Sequence, residues 1–121
     1  MLNKKEIGAE GEGLAVKALK KQGYKIIEKN YRTRFGEIDI IAEEKGYLVF
    51  IEVKRRSFAS FGASLDAVDE KKKDHMIRAA AYYLKDRRCF NRKVRFDVVG
   101  IDDDRLKIVR HAFIVEEDSR T

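Results

Sequence analysis

The sequence predicts an α/β fold, a mixed β-sheet flanked by helices with its elements in the order αβββαββ. Three observations carry that prediction. Two long segments repeat apolar residues at helical spacing, and five shorter segments are rich in Ile, Val and Phe. The second helical segment falls between a hairpin and a further strand, so it must cross back over the sheet and leave a parallel neighbour.

The elements follow in order. From Lys4 to about Gln22, Ile7, Leu14, Ala15, Ala18 and Leu19 recur with helical period, and Gly23 stands where a helix stops. A short strand from Tyr24 to Tyr31 comes next. Gly36 to Arg56, GEIDIIAEEKGYLVFIEVKRR, reads as two strands joined by a turn, apolar at both parities and therefore buried on both faces. Arg56 to Ser64, RSFASFGAS, has the small and polar residues of a loop. A second helix runs from about Leu65 to Lys85, with Ser64 as its cap and Val68, Ile77, Ala80, Ala81 and Leu84 as its apolar stripe. Beyond the basic link KDRRCFNRK, VRFDVVGI and LKIVRHAFIV form two more strands around DDDR, and residues 116–121, EEDSRT, read as a frayed tail.

A chain of 121 residues is most simply one domain, 1–121, with a single core. Hydrophobic residues at 44% exclude a disordered chain despite 40% charged residues. Lys and Arg number 27 against 21 Asp and Glu, a net +6 that suits a phosphate backbone or an anionic membrane without demanding either. Cys89 is the only cysteine, which excludes an internal disulfide and a thiolate metal cluster. No apolar run reaches the roughly 18 residues of a membrane span, and the start MLNKKEIGAEGEG lacks a signal peptide's apolar core, so the expected compartment is the cytoplasm.

Charge inside the hairpin needs a reason. With a turn centred on Lys45 and Gly46, a four-residue loop from Glu44 to Tyr47 sets Ile41 opposite Phe50, Asp39 opposite Glu52 and Glu37 opposite Lys54. Alternation then projects all four charged groups from one face. Two carboxylates about 5 Å apart repel by roughly 3 kcal/mol at an effective dielectric of 20. A salt-bridge network with Lys54 would offset this, and so would a divalent ion such as Mg²⁺ held by the acids. The hairpin alone leaves both open.

Glu12 adds a third acid. It falls in line with Gly8, Ala15, Val16 and Leu19, inside the apolar stripe, where a carboxylate is costly unless it meets a cation. Gly8, Gly11 and Gly13 lack the preceding strand and following Lys-Ser/Thr of a phosphate loop, so close packing of helix on sheet is their expected role. Lys72 lies between Val68 and Met76 on the inward side of the second helix, where a snorkelling stem or a phosphate contact would each place it. Arg55 and Arg56 are further phosphate candidates. His75 and His111 have no zinc spacing, and Asp102 to Asp104 lacks the later residues of a calcium loop.

GAEGEGLAVKAL, GYKIIEKNYRTRFGEIDIIA, LVFIEVKRR and AVDEKKKDHMIRAAAYYL, followed by RFDVVG, resemble in order and spacing the YraN-like family of small bacterial proteins. That family is similar to archaeal Holliday-junction resolvases and is placed in the restriction-endonuclease-like, or PD-(D/E)XK, superfamily. The resemblance implies a three-layer sandwich with helices on both sides of the mixed sheet, and a nuclease-type metal site. It implies that Asp39 is the superfamily's acid, that Glu52 and Lys54 form its E-x-K element, and that Glu12 is the additional acid of resolvase-like members. Lys72 matches the basic position on the following helix, and Ile38 stands in place of the superfamily's Pro.

The resulting expectation is a structure-selective endonuclease acting on branched, flapped or junction DNA. Glu12, Asp39 and Glu52 would hold Mg²⁺ or Mn²⁺, Lys54 would assist the attacking water, and Arg34, Arg55, Arg56 and Lys72 would contact phosphates. No organic cofactor and no membrane are expected, and junction cutting calls for a homodimer. The alternatives are a non-catalytic nucleic-acid-binding module and a structural partner in a repair or uptake assembly.

Overall fold

The computed structural model describes residues 4–55, 70–102 and 105–113, with side chains from residue 11 onward. The order is α1 (Lys4–Lys21), β1 (Lys25–Thr33), β2 (Gly36–Glu44), β3 (Tyr47–Arg55), α2 (Glu70–Asp86), β4 (Lys93–Ile101) and β5 (Leu106–Phe113). The sheet runs β1-β2-β3-β4-β5, with β3 and β4 parallel and the other neighbours antiparallel. This is the mixed, helix-flanked αβββαββ arrangement that the periodicities predict. The proposed Ser64 cap, the start of the second helix before Glu70, the loop 56–64 and the tail 116–121 lie outside the described residues.

Local chemistry sets the boundaries. Gly23, at φ 98°, ends α1: Tyr24 N–H donates to Leu19 O at 3.0 Å and Gly23 N–H to Lys20 O at 3.1 Å, the paired bonds of a Schellman cap. Lys45 and Gly46 both take positive φ, 51° and 85°, as a two-residue hairpin turn of matching twist requires. The turn fixes the predicted register, with Glu44 opposite Tyr47, Ile41 opposite Phe50 and Ile40 opposite Ile51.

Each face of the sheet carries its own core. Ala15, Leu19 and Tyr24 pack with Ile40, Ala42, Val49, Ile51, Val99 and Ile101 on the α1 face. Met76, Ala79, Ala80 and Tyr83 pack with Ile41, Leu48, Phe50, Phe96 and Val98 on the other. Leu14 and Ala81, expected in the apolar stripes, are exposed, because each sits one position round the helix from the contact line. A Cβ on Gly11 would meet Arg55 Nη1 at an ordinary 3.5 Å and one on Gly13 would meet nothing within 4 Å, so packing does not require glycine at either position.

At one end of the α1 face lies a buried ionic network that no pattern in the sequence announces. Arg95 donates to Asp97 Oδ1 at 2.9 Å, Asp97 Oδ2 at 2.8 Å and Glu44 Oε1 at 2.5 Å. Arg110 donates to both oxygens of Glu44 at 2.9 and 2.6 Å, while Tyr24 Oη–H donates to Asp97 Oδ2 at 2.7 Å. His111 N–H, displaced from the ladder where β4 and β5 slip register, donates to Asp97 Oδ1 at 3.0 Å. Both acids are buried, and each makes at least two charge-assisted bonds, which offset the cost of desolvation.

Chiefly because Arg110 and then Arg95 donate to it, Glu44 is held at about 2 against an ordinary 4.5. The unfolded chain takes up this proton near pH 4.5 and the folded protein only near 2. The stabilisation is therefore fully present above 4.5 and lost as pH falls towards 2. Glu44→Gln is expected to cost about 3 kcal/mol at neutral pH, because it leaves Arg95 buried without its partner. In denaturant unfolding from pH 5 to pH 2, wild type should lose about 3 kcal/mol more than the variant.

Candidate metal centre

The site arises where the sheet splits. β1 and β2 stay paired through Ile38 with Tyr31, Glu37 with Arg32 and Gly36 with Thr33. β3 and β4 stay paired through Glu52 with Val98 to Arg55 with Ile101. Between them, the β2–β3 ladder ends at Ile40 with Ile51. The expected pairings of Asp39 with Glu52 and of Glu37 with Lys54 are therefore not made, since each strand follows its outer neighbour and a notch opens between them.

Asp39 stands at the head of this notch. Its Oδ2 accepts the N–H of Val53 at 2.8 Å. A strand N–H points within the plane of the sheet, so the carboxyl lies in that plane, between the two faces. The backbone accommodates this by a slip in alternation: Ile38 and Ile41 both join the α2-side core while Ile40 turns to the α1 side. Opposite Asp39 on β1, Asn30 takes φ 54°, a conformation Asn tolerates better than most residues.

Acids approach from both sides. Glu12 of α1, Glu37 and Asp39 each place a carboxylate oxygen within 4.8 Å of the others. Glu12 and Asp39 thus meet. Glu37, expected to face Lys54, joins them instead; it also pairs with exposed Arg32 at 3.4 Å. Alternation along β2 puts Glu37 on the same face as Asp39, as the sequence predicts; the ending of the β2–β3 ladder is what removes Lys54 from opposite it.

Glu52 lies outside that trio, yet its charge acts on Asp39. Glu52 Oε1 is 3.1 Å from Lys72 Nζ, so the inward-side Lys72 of α2 reaches an acid of the notch. Glu52 Oε2 is buried without a hydrogen-bond partner among the described residues. Lys54, two residues beyond Glu52 on the same face of β3, is half-buried. Arg55 is exposed on the α1 side, where its guanidinium lies against Gly11, next to Glu12. Arg34 is exposed beside Phe35; Arg56 lies outside the described residues.

Burial pushes Asp39 from 3.8 up to about 6, the Val53 N–H partly opposing the rise, and Glu52 and Glu12 adding to it. The charge of Lys72 lowers the value but does not cancel the rise. An all-oxygen donor set in that state fits a hard divalent ion, and the orphaned Glu52 oxygen is a further unused donor.

A three-layer α/β protein with carboxylates gathered at a split between central strands is what fold and site define. The chain belongs to the family described as Uncharacterised protein family UPF0102, whose profile matches residues 11–101, and this is the YraN-like family that its motifs resemble. It is similar to the UPF0102 protein of Persephonella marina, 41% identical over 88% of this chain and 91% of the relative. The UPF0102 protein of Thermodesulfovibrio yellowstonii is 44% identical over 89% of this chain and 96% of the relative. The matched region takes in every residue of the notch. Among the described residues no helix is long and apolar enough to cross a membrane.

Because the folded protein binds the Asp39 proton up to about pH 6 and the unfolded chain only to 3.8, metal-free stability should fall as pH rises between those values. Asp39→Asn keeps an acceptor for Val53 N–H and removes the charge. Without divalent ions it should be more stable than wild type by about 3 kcal/mol at pH 8 and no more stable at pH 3.5, as read by urea unfolding.

Proposed function

We propose that the chain is a Mg²⁺- or Mn²⁺-dependent endonuclease that hydrolyses phosphodiester bonds in branched, flapped or junction DNA in the cytoplasm. The observation that carries this is the meeting of Glu12, Glu37 and Asp39 at a notch whose central carboxyl is pushed up to about 6, with Glu52 close enough for its charge to act on Asp39. Asp39 would hold the ion together with Glu52 and one or both of Glu12 and Glu37. When bound, such an ion supplies positive charge against the charge that develops on a phosphoryl group under attack.

The chain's own residues do the rest. Asp39 keeps β3 in place through Val53 N–H, so Glu52 and Lys54 are presented from a fixed strand. Lys54 offers a cation with three donors to orient the attacking water or to steady negative charge. Lys72 holds Glu52 in one orientation and limits repulsion among the acids before the ion arrives. Arg55, exposed next to Glu12, and Arg34, exposed in the turn that leads into β2, would contact phosphates on either side of the cut. Cutting a four-way junction on both sides needs two such sites, which a homodimer would supply.

The purified protein should cut flapped or four-way DNA with Mg²⁺ or Mn²⁺ and not in chelator. Asp39→Ala should bind the same DNA but cut it more than about a hundredfold more slowly, exceeding the usual loss from an outer-shell partner. Failure of wild type to cut linear, flapped or four-way DNA, with Asp39→Ala binding equally well or better, would favour a non-catalytic binding module. Separately, Mn²⁺ at about a hundred times its dissociation constant should stabilise wild type by about 2.7 kcal/mol. Thermal unfolding of Glu52→Gln should show a much smaller gain.

A further inference from the structure

Phe35 is an aromatic residue that belongs to neither core cluster. It sits half-buried in the turn between β1 and β2, four residues before Asp39, or about 13 Å along an extended strand. The turn is rigid: Thr33 Oγ1 accepts Phe35 N–H at 3.0 Å and donates to Gly36 O at 3.0 Å. Gly36 has φ 142°, and a Cβ there would meet His75 Cβ at 3.4 Å, so α2 docks tightly against the turn.

Two guanidiniums flank the ring. Arg34 lies 4.9 Å and Arg78 6.0 Å from its centroid. Arg78 also pairs with Asp74 at 3.0 Å, whereas Arg34 makes no ion pair among the described residues. Along α2, Lys72, His75 and Arg78 follow at intervals of three residues, so they share one side of the helix about 4.5 Å apart along its axis. Lys72 meets Glu52, His75 meets Gly36 and Arg78 meets Phe35. The row leads from the acidic notch across β2 to the turn.

A phenyl ring and guanidinium planes are both surfaces on which an unpaired base stacks, and arginine also binds the adjoining phosphates. We propose that Arg34, Phe35 and Arg78 form a platform for an unpaired nucleotide of the DNA strand that runs from the notch, which lets the protein distinguish flapped or branched DNA from plain duplex. The platform deepens the nuclease reading and rests on it for the direction of the strand. A fully base-paired duplex offers no free base face at this distance, so the platform adds nothing to its binding.

The experiment measures binding, in EDTA so that nothing is cut, of a fluorescent blunt duplex and of the same duplex with a single-stranded extension of either polarity. Wild type should prefer one extended duplex. Phe35→Leu keeps an apolar cover over α2 but loses the ring face; it should bind that duplex about five- to a hundredfold more weakly and the blunt duplex unchanged. Arg78→Lys, on an exposed helix surface, keeps the charge without the plane and should lose part of the same preference even where Phe35→Leu fails to fold. Equal binding of both duplexes by wild type, unchanged preference in the variants, or equal loss on both duplexes overturns the platform. Wild-type cutting with Mn²⁺ keeps the two ideas apart. Cutting with no Phe35 effect removes the platform and leaves the nuclease, while the Phe35 effect without cutting does the reverse.

Discussion

The hydrogen bond from Val53 N–H to Asp39 Oδ2 is the constraint on which the site depends. Had β2 and β3 stayed paired to their ends, Val53 would point its N–H at a backbone carbonyl and Asp39 would project from one face. The strands instead part after Ile40 and Ile51, and the carboxylate occupies the plane of the sheet. An unpaired backbone donor in a buried position is costly, and Asp39 satisfies it while keeping a second oxygen for other partners. Because this oxygen pair lies between the faces, α1 can bring Glu12 to it from one side as α2 brings Lys72 to Glu52 on the other.

Charge is handled in opposite ways at the two ends of β2. Glu44 closes the strand among Arg95 and Arg110, every oxygen engaged, and is held at about 2. Asp39, five residues earlier, is pushed up to about 6 by burial, and the neighbouring acids add to the rise. The first arrangement is neutralised by the chain itself and ties β2, β4 and β5 together. In the second, Asp39 itself accepts only the Val53 N–H among the hydrogen bonds described, while Lys72 and Arg32 meet the acids around it and Arg55 lies against Gly11, next to Glu12. That contrast, within one strand, separates the Glu44 network, which fastens the sheet, from the notch on which the proposed function rests.

Much of this is legible in the residues. Lys45-Gly46 is a strong turn signal, and it fixes the β2–β3 register through Ile40 and Ile51. Runs apolar at both parities announce burial on two faces, and the placement of the second helix forces the parallel β3–β4 pair. Glu12 and Lys72 stand out as charges on inward helix faces. The split is not legible, because it depends on competition between neighbouring ladders that no local pattern records; a hairpin paired to its ends would set Glu37 opposite Lys54. The Arg95 network was equally hidden. Arg95 and Asp97 share the parity of buried Val99, but only the return of β5 brings Arg110 and His111 to complete it.

The most direct measurement is anomalous diffraction from crystals soaked in Mn²⁺. A peak within coordination distance of Asp39 and Glu52, with Glu12 or Glu37 as a further ligand, is the predicted result. The contrary result is a fully soaked crystal in which Mn²⁺ scatters only elsewhere on the surface while Glu52 stays on Lys72 and the notch holds no ion.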